Sequence, residues 1–149
     1  METNELINKC LDGLKKEDIS IDERVYLLIT LSTIYKLKGD ILSALKYCAI
    51  ASICTPSPRA DVCCMMGELY FYSDNLEWAE KWYNNAINNT TSLSYINPEY
   101  SNIIPFSKLF EIYFKKKDIK TCEKYLILIE TMSPNNPIIE NLKNNLKTL

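Results

Sequence analysis

The chain has 149 residues, 47% hydrophobic and 24% charged, which suits one domain with a sizeable core. Its net charge of −2 argues against general binding to phosphate backbones. With 3 Gly and 6 Pro it is neither a linker nor a disordered tail, and with no His it cannot form a Ser-His-Asp or Cys-His catalytic arrangement.

Residues 3 to 15 read as an amphipathic helix, with Leu6, Ile7, Cys10, Leu11 and Leu14 on one stripe. Ser20 and Glu23 have the spacing of a capping box, which opens a second helix to about Leu37. Gly39 and Asp40 make a turn, and Asp40 caps a helix that ends near Ile53. The stretch Thr55-Pro56-Ser57-Pro58 is a break, after which Ser57 is the expected cap and Pro58 the expected first helical residue. Helices are then predicted from Pro58 to Tyr72 and from Asn75 to Asn88. The segment between Asn89 and Tyr100 carries Leu93, Tyr95 and Ile96 and is expected to fold back onto the helices. A further pair is predicted over Asn102 to Lys116 and Asp118 to Met132, with Pro105 in a first turn where a missing N–H costs little. Asn136-Pro137 opens a last helix to about Lys147 with a polar face.

A spacing recurs through these helices. Leu28, Leu31, Ser32 and Tyr35 are followed by Ala44, Cys48, Ala51 and Pro56. Adding 35 gives Cys63, Met66, Gly67 and Tyr70, then Ala79, Tyr83, Ala86 and Thr91. Adding a further 43 gives Phe106, Leu109, Phe110 and Tyr113, then Cys122, Leu126, Ile129 and Pro134. Small residues permit close helix approach, and large ones fill the space between pairs that cannot bury their apolar faces alone. The spacing resembles the tetratricopeptide (TPR) pattern. It implies an all-α, right-handed superhelix of three helix pairs with a helix at each end. The expected layout is one domain over 1–149, repeats at about 25–58, 59–92 and 102–135, an insertion at 89–101 and a terminal helix at 136–147. The third repeat departs most, with Phe110 at a usually small position and Cys122 in place of alanine.

The chemistry-bearing motifs are few. The 6 cysteines include no Cys-x-x-Cys pair, so no metal site is expected, and Cys48, Cys63 and Cys122 fall at core positions. Reduced thiols and a start without a secretory signal point to a cytoplasmic protein. The run Val25 to Leu31 is far too short to span a bilayer. No Gly-rich phosphate loop and no Asp-x-Asp motif occurs, so neither catalysis nor a cofactor is expected. Lys115, Lys116 and Lys117 read as a solvated turn at a helix C-terminus, not a nucleic-acid site.

In TPR arrays the first helix of each pair lines a concave face. The inward positions here are Tyr26, Ile29, Thr33, Lys36 and Leu37 in the first repeat. In the second they are Asp61, Cys64, Glu68, Phe71 and Tyr72, and in the third Ile104, Ser107, Glu111, Phe114 and Lys115. The candidate binding groove comprises Asp61, Cys64, Glu68, Phe71, Tyr72, Ser107, Glu111 and Phe114. The Lys and Asn clamp for a terminal carboxylate is absent, since Ile29/Thr33, Cys64/Glu68 and Ser107/Glu111 stand at its positions. An aromatic, mildly acidic groove suits an apolar or basic ligand surface. The competing reading has Phe71 and Tyr72 packing only against the insertion or a neighbouring domain.

Ser57-Pro58-Arg59-Ala60-Asp61-Val62-Cys63-Cys64, then Gly67, Trp82-Tyr83, Ala86 and Ile104-Pro105, resemble the TPR region of bacterial family 2 glycosyltransferases. The likeness covers about residues 57–136. In that family a GT-A transferase domain with an Asp-x-Asp metal site precedes the TPR region, and no part of it is matched here. No catalytic role is therefore carried to any residue. Glu68 stands where an aromatic is expected, and Lys117 replaces the glycine of the third turn. The resemblance implies a non-catalytic accessory module whose partner is a glycosyltransferase domain or its acceptor. The alternative is a free-standing cytosolic adaptor or peptide receptor with no link to sugar transfer.

Overall fold

The computed structural model describes residues 2–89 and 97–149. Among these residues it is all-α, with eight α-helices, one short 3-10 turn and no strand. The helices are α1 (Thr3–Leu14), α2 (Ile21–Leu37), α3 (Ile41–Ser52) and α4 (Ala60–Tyr72). They continue as α5 (Leu76–Asn88), α6 (Ile103–Lys115), α7 (Ile119–Met132) and α8 (Ile138–Leu146). The 3-10 turn, Pro98–Ser101, precedes α6. The expected contacts of Leu93, Tyr95 and Ile96 lie outside the described residues.

The helices pair as hairpins, α2 with α3, α4 with α5 and α6 with α7, each joined by three residues. One turn is used three times. Asp40, Asn75 and Asp118 each donate their N–H to the carbonyl of Tyr35, Tyr70 and Tyr113, at 2.9, 2.9 and 3.0 Å. The residue before each takes positive φ: Gly39 at 81°, Asp74 at 58° and Lys117 at 59°. This satisfies the last carbonyls of the first helix. The side chains of Asp40, Asn75 and Asp118 then accept the N–H of Ser43, Trp78 and Thr121 and cap the second helix. The turns recur at the spacings of 35 and 43 read from the sequence.

One helix start differs from expectation. Helix α4 begins at Ala60, its cap residue is Arg59, and no side chain caps it. The Ser57 hydroxyl instead donates to Asn89 Oδ1 at 2.7 Å, across the mouth of the second hairpin. Pro58 therefore precedes the helix and does not open it.

Most of the recurring positions are buried, while Tyr35, Tyr70 and Tyr113 are half-buried and Pro56 and Pro134 are exposed. Ile7 and Cys10 of α1 pack with Leu31 and Ile34 of α2. Val25, Leu28, Ala44, Cys48, Val62 and Leu69 unite α2, α3 and α4. A larger cluster runs from Cys63 and Tyr83 through Leu109, Phe110 and Ile129 to Leu142 of α8. Each fully buried leucine contributes on the order of 2 kcal/mol through removal from water. Tyr70 and Trp82 touch two of these clusters and join them.

Within each hairpin one close contact sets the helix spacing. Ser32 donates its hydroxyl to the Ala44 carbonyl at 2.8 Å. At the matching place in the second hairpin, a Cβ on Gly67 would lie 2.8 Å from Tyr83 Cζ. In the third, Phe110 fills the place, and its carbonyl accepts the Cys122 thiol at 3.6 Å.

Candidate functional site

The first helices of the hairpins, α2, α4 and α6, converge on a cavity of about 250 Å³. From α4 it is lined by Asp61, Cys64, Met65 and Glu68. Ile29 comes from α2, Ile104 and Lys108 from α6, and Tyr100 from the 3-10 turn. Tyr83 of α5 completes the lining. Gly67 explains why a residue of a second helix reaches this face. With no side chain there, the far end of the Tyr83 ring lies over the α4 backbone.

Asp61, Cys64 and Glu68, three of the expected groove residues, are thus brought together. Arg59 holds both oxygens of Asp61, at 3.1 Å from Nε and 2.7 Å from Nη2. Lys36 of α2 lies 3.1 Å from Glu68 Oε2. Lys108 lies 3.6 Å from Glu111. The carboxylates that suggest an acidic groove in the sequence therefore each face a cation. Cys64 is only 5% exposed and donates its thiol to the Tyr100 carbonyl at 3.2 Å. Burial, with the nearby Cys63, Asp61 and Glu68, pushes that thiol well above its ordinary range. It is a neutral packing group there, not a nucleophile.

The other expected residues lie elsewhere. Ser107 and Glu111 line a separate hollow of about 420 Å³ against Asn141 and Leu142 of α8. Phe71 is half-buried, with Lys115 Nζ 4.5 Å and Lys108 Nζ 5.7 Å from its ring centroid. Phe114 stacks on Phe110 at 6.3 Å and packs on the core. Tyr72 is open, with 61% of its surface exposed, and borders a shallow pocket with Lys36, Leu37 and Ile41. On α2, Tyr26 and Leu37 are also exposed, at 68% and 79%.

Reading inward positions alone misses Met65, Tyr83, Tyr100 and Lys108. Tyr83 sits at a core position, but its pairing with the matching Gly67 is a usable signal that its ring crosses the backbone. Nothing local announces Tyr100, which the 3-10 turn delivers from outside the recurring pattern.

The environment of the tyrosines is informative. Burial pushes the Tyr83 phenol upward, and Cys64, Glu68 and Glu111 push it further. Tyr100 is raised by burial and then by Asp61, Cys64 and Glu68. Both stay protonated at neutral pH. Among the described residues no three His, Cys, Asp or Glu side chains gather into a metal-binding group, and no helix is long and apolar enough to cross a membrane. No protein-family model matches the chain, and no curated protein matches it.

Proposed function

We propose that this chain is a non-catalytic protein-interaction module, a TPR-like array of three helix pairs flanked by α1 and α8. The supporting observation is the turn used three times in register with the recurring apolar positions. On this reading α2, α4 and α6 form a concave surface on which a polypeptide partner lies. Tyr26, Leu37 and Tyr72 are its exposed apolar contacts, and the cavity beside Glu68 is its deepest point. Exposed aromatics next to a recess are the usual composition of a binding hot spot. Phe71 contributes less than its position suggests, because two lysines cover its ring.

The likeness of residues 57–136 to family 2 glycosyltransferase TPR regions favours a transferase domain or its acceptor as partner. A cytosolic adaptor unrelated to sugar transfer is the competing reading. Two experiments test the proposal. The purified chain, offered nucleotide sugars with and without manganese, is expected to show no turnover, and reproducible sugar transfer would overturn the non-catalytic reading. Partner capture from lysate is expected to weaken by about 2 kcal/mol, roughly 30-fold, in Tyr72→Ala, with thermal stability unchanged. Capture that survives Tyr72→Ala and Leu37→Ala together would remove this surface from the function. A transferase among the captured proteins favours the first reading, and its absence favours the adaptor.

A further inference from the structure

The outer side of α3 is apolar where its counterparts in the other hairpins are polar. Lys46 is the one charged residue of this helix. Leu42 is 82% exposed and Ile53, at the C-terminal end, 80%. Ala49 and Ile50 are exposed as well. The other two hairpins supply an internal standard. At the places of Leu42, Lys46, Ala49 and Ile53, α5 has Glu77, Lys81, Asn84 and Asn88. There α7 has Lys120, Lys124, Ile127 and Thr131. The fold therefore does not need apolar residues at these places. A helix that is apolar all round is ordinarily covered all round. Beside the face lies a hollow of about 420 Å³, whose lining includes Leu42, Leu45, Ala49, Met66 and Tyr70.

We propose that a second copy of this chain covers the face, with the two α3 helices antiparallel about a twofold axis. The order of residues in α3 selects this occupant. Its midpoint falls between Tyr47 and Cys48, and residues at mirrored places on either side are alike. Leu45 mirrors Ile50, Ser43 mirrors Ser52, and Leu42 mirrors Ile53. In a twofold interface, where residue i meets residue j, residue j meets residue i. An antiparallel pair centred on that midpoint sets Leu42 of each copy against Ile53 of the other, and Leu45 against Ile50. At 100° per residue these pairs fall evenly about the centre of the outer face, opposite the buried Ala44, Cys48 and Ala51. A helix of a different protein would not require the mirroring.

Charge and size agree with this pairing. At the centre Lys46 meets Ala49 of the other copy, and the small side chain lets the helices approach. Lys46 Nζ lies 5.2 Å from the Tyr47 ring centroid, on the side of the helix away from Ala49, so the two ammonium groups stay apart. Antiparallel helices also set opposite dipoles side by side. The 12 residues of α3 make a contact about 18 Å long and about 10 Å wide. That covers well under the ~800 Å² per partner of a standard stable interface, so the dimer is weak and forms at high concentration. The concave face stays free, because first helices build it and α3 is a second helix.

The test is self-association of the full chain, followed by analytical ultracentrifugation from about 10 μM to about 1 mM. The parent is expected to pass from monomer towards dimer over that range. Leu42→Asp should weaken the dimer at least tenfold, and so should Ile53→Lys. The double variant Leu42→Asp/Ile53→Lys should dimerise more tightly than either single variant, because each new carboxylate meets a new ammonium of the other copy. A parallel pair would instead set like charges together and make the double variant the weakest. Thermal melts should be unchanged in all three variants, since both positions are exposed. NMR reads the register. Leu42 and Ile53 lie about 16 Å apart along one helix, so a nuclear Overhauser effect between their methyls, in a mixture of labelled and unlabelled chains, comes from the second copy. A chain that stays monomeric at about 1 mM would overturn the proposal. So would a dimer indifferent to Leu42→Asp, or a double variant no tighter than the single ones. A monomer whose partner capture is abolished by Leu42→Asp would assign the face to a different protein and overturn the second copy. Tyr72→Ala should leave the dimer unchanged, so the interaction surface on the concave side stands or falls separately.

Discussion

The second and third hairpins solve the same packing problem in opposite ways. In the second, Gly67 contributes nothing and Tyr83 of α5 supplies the whole contact. In the third, Phe110 of α6 supplies the bulk, and Leu126, which stands in α7 where Tyr83 stands in α5, lies in the same core cluster. The bulky ring changes helix, from α5 in the second hairpin to α6 in the third. The consequences differ. A phenylalanine from the first helix stays in the core, and its ring stacks on Phe114. A tyrosine from the second helix carries its hydroxyl across the first helix and into the groove. The cavity therefore lies beside the hairpin that uses glycine.

Breaking the third hairpin should have the largest effect. Phe110 is fully buried, so Phe110→Ala leaves a cavity and should cost about 4 kcal/mol, measured as a fall in the urea midpoint. A loss below about 1 kcal/mol would mean that neighbouring helices close the gap. Next comes transplanting the third arrangement into the second. Gly67→Phe drives a ring into Tyr83 and should cost about 3 kcal/mol. Adding Tyr83→Leu recreates the residue types that the third hairpin has at the matching positions and should restore at least about 1 kcal/mol of that loss. Strict additivity of the two changes would show that the two positions do not share one space.

A smaller effect is expected where the two hairpins meet. The Tyr113 hydroxyl donates to Glu80 Oε1, and Lys116 Nζ lies 2.9 Å from Glu80 Oε2, so α6 grips α5. Tyr113→Phe should cost about 1.5 kcal/mol, the range for a hydrogen bond to a charged group. Burial pushes the Glu80 carboxyl up, but Tyr113 and Lys116 outweigh it and hold it below its ordinary value. The pair therefore adds stability above the ordinary glutamate range, near pH 4.3, and loses it as the pH falls through the lower folded value. The stability gap between the parent and Glu80→Gln should be full at pH 7 and close at more acidic pH. A gap that persists unchanged into strong acid would show that the carboxylate charge plays no part.

What could be read from the sequence follows how local its cause is. The helices were legible because caps such as Asp40, Asn75 and Asp118 act within three residues, and because the apolar spacing is periodic. The start of α4 was not, since Ser57 bonds Asn89, 32 residues away. At the site, Asp61, Cys64 and Glu68 share one helix face, so their meeting was legible. The lysine covers on Phe71 come from α6, the Tyr83 hydroxyl crosses from α5, and Tyr100 arrives on a turn between hairpins. Each depends on side-chain direction across elements, which no single helical period carries.

The smallest expected effect sharpens the comparison at the turns. All three hairpins need a left-handed residue, and only the first uses glycine: Gly39 has φ 81°, while Asp74 and Lys117 sit at 58° and 59°. A residue with a Cβ pays roughly 1–2 kcal/mol for that conformation. Glycine avoids the strain but loses more freedom on folding, which returns part of the gain. Lys117→Gly should therefore stabilise by about 0.5–1 kcal/mol, and Gly39→Lys should destabilise by a similar amount. Asp74→Gly should gain less, because a short polar side chain tolerates this region better than lysine does. Thermal melts of the three variants decide the matter. The turn geometry predicts opposite signs for Gly39→Lys and Lys117→Gly. Equal signs would mean that the side chains, and not the backbone, set the stability of these turns.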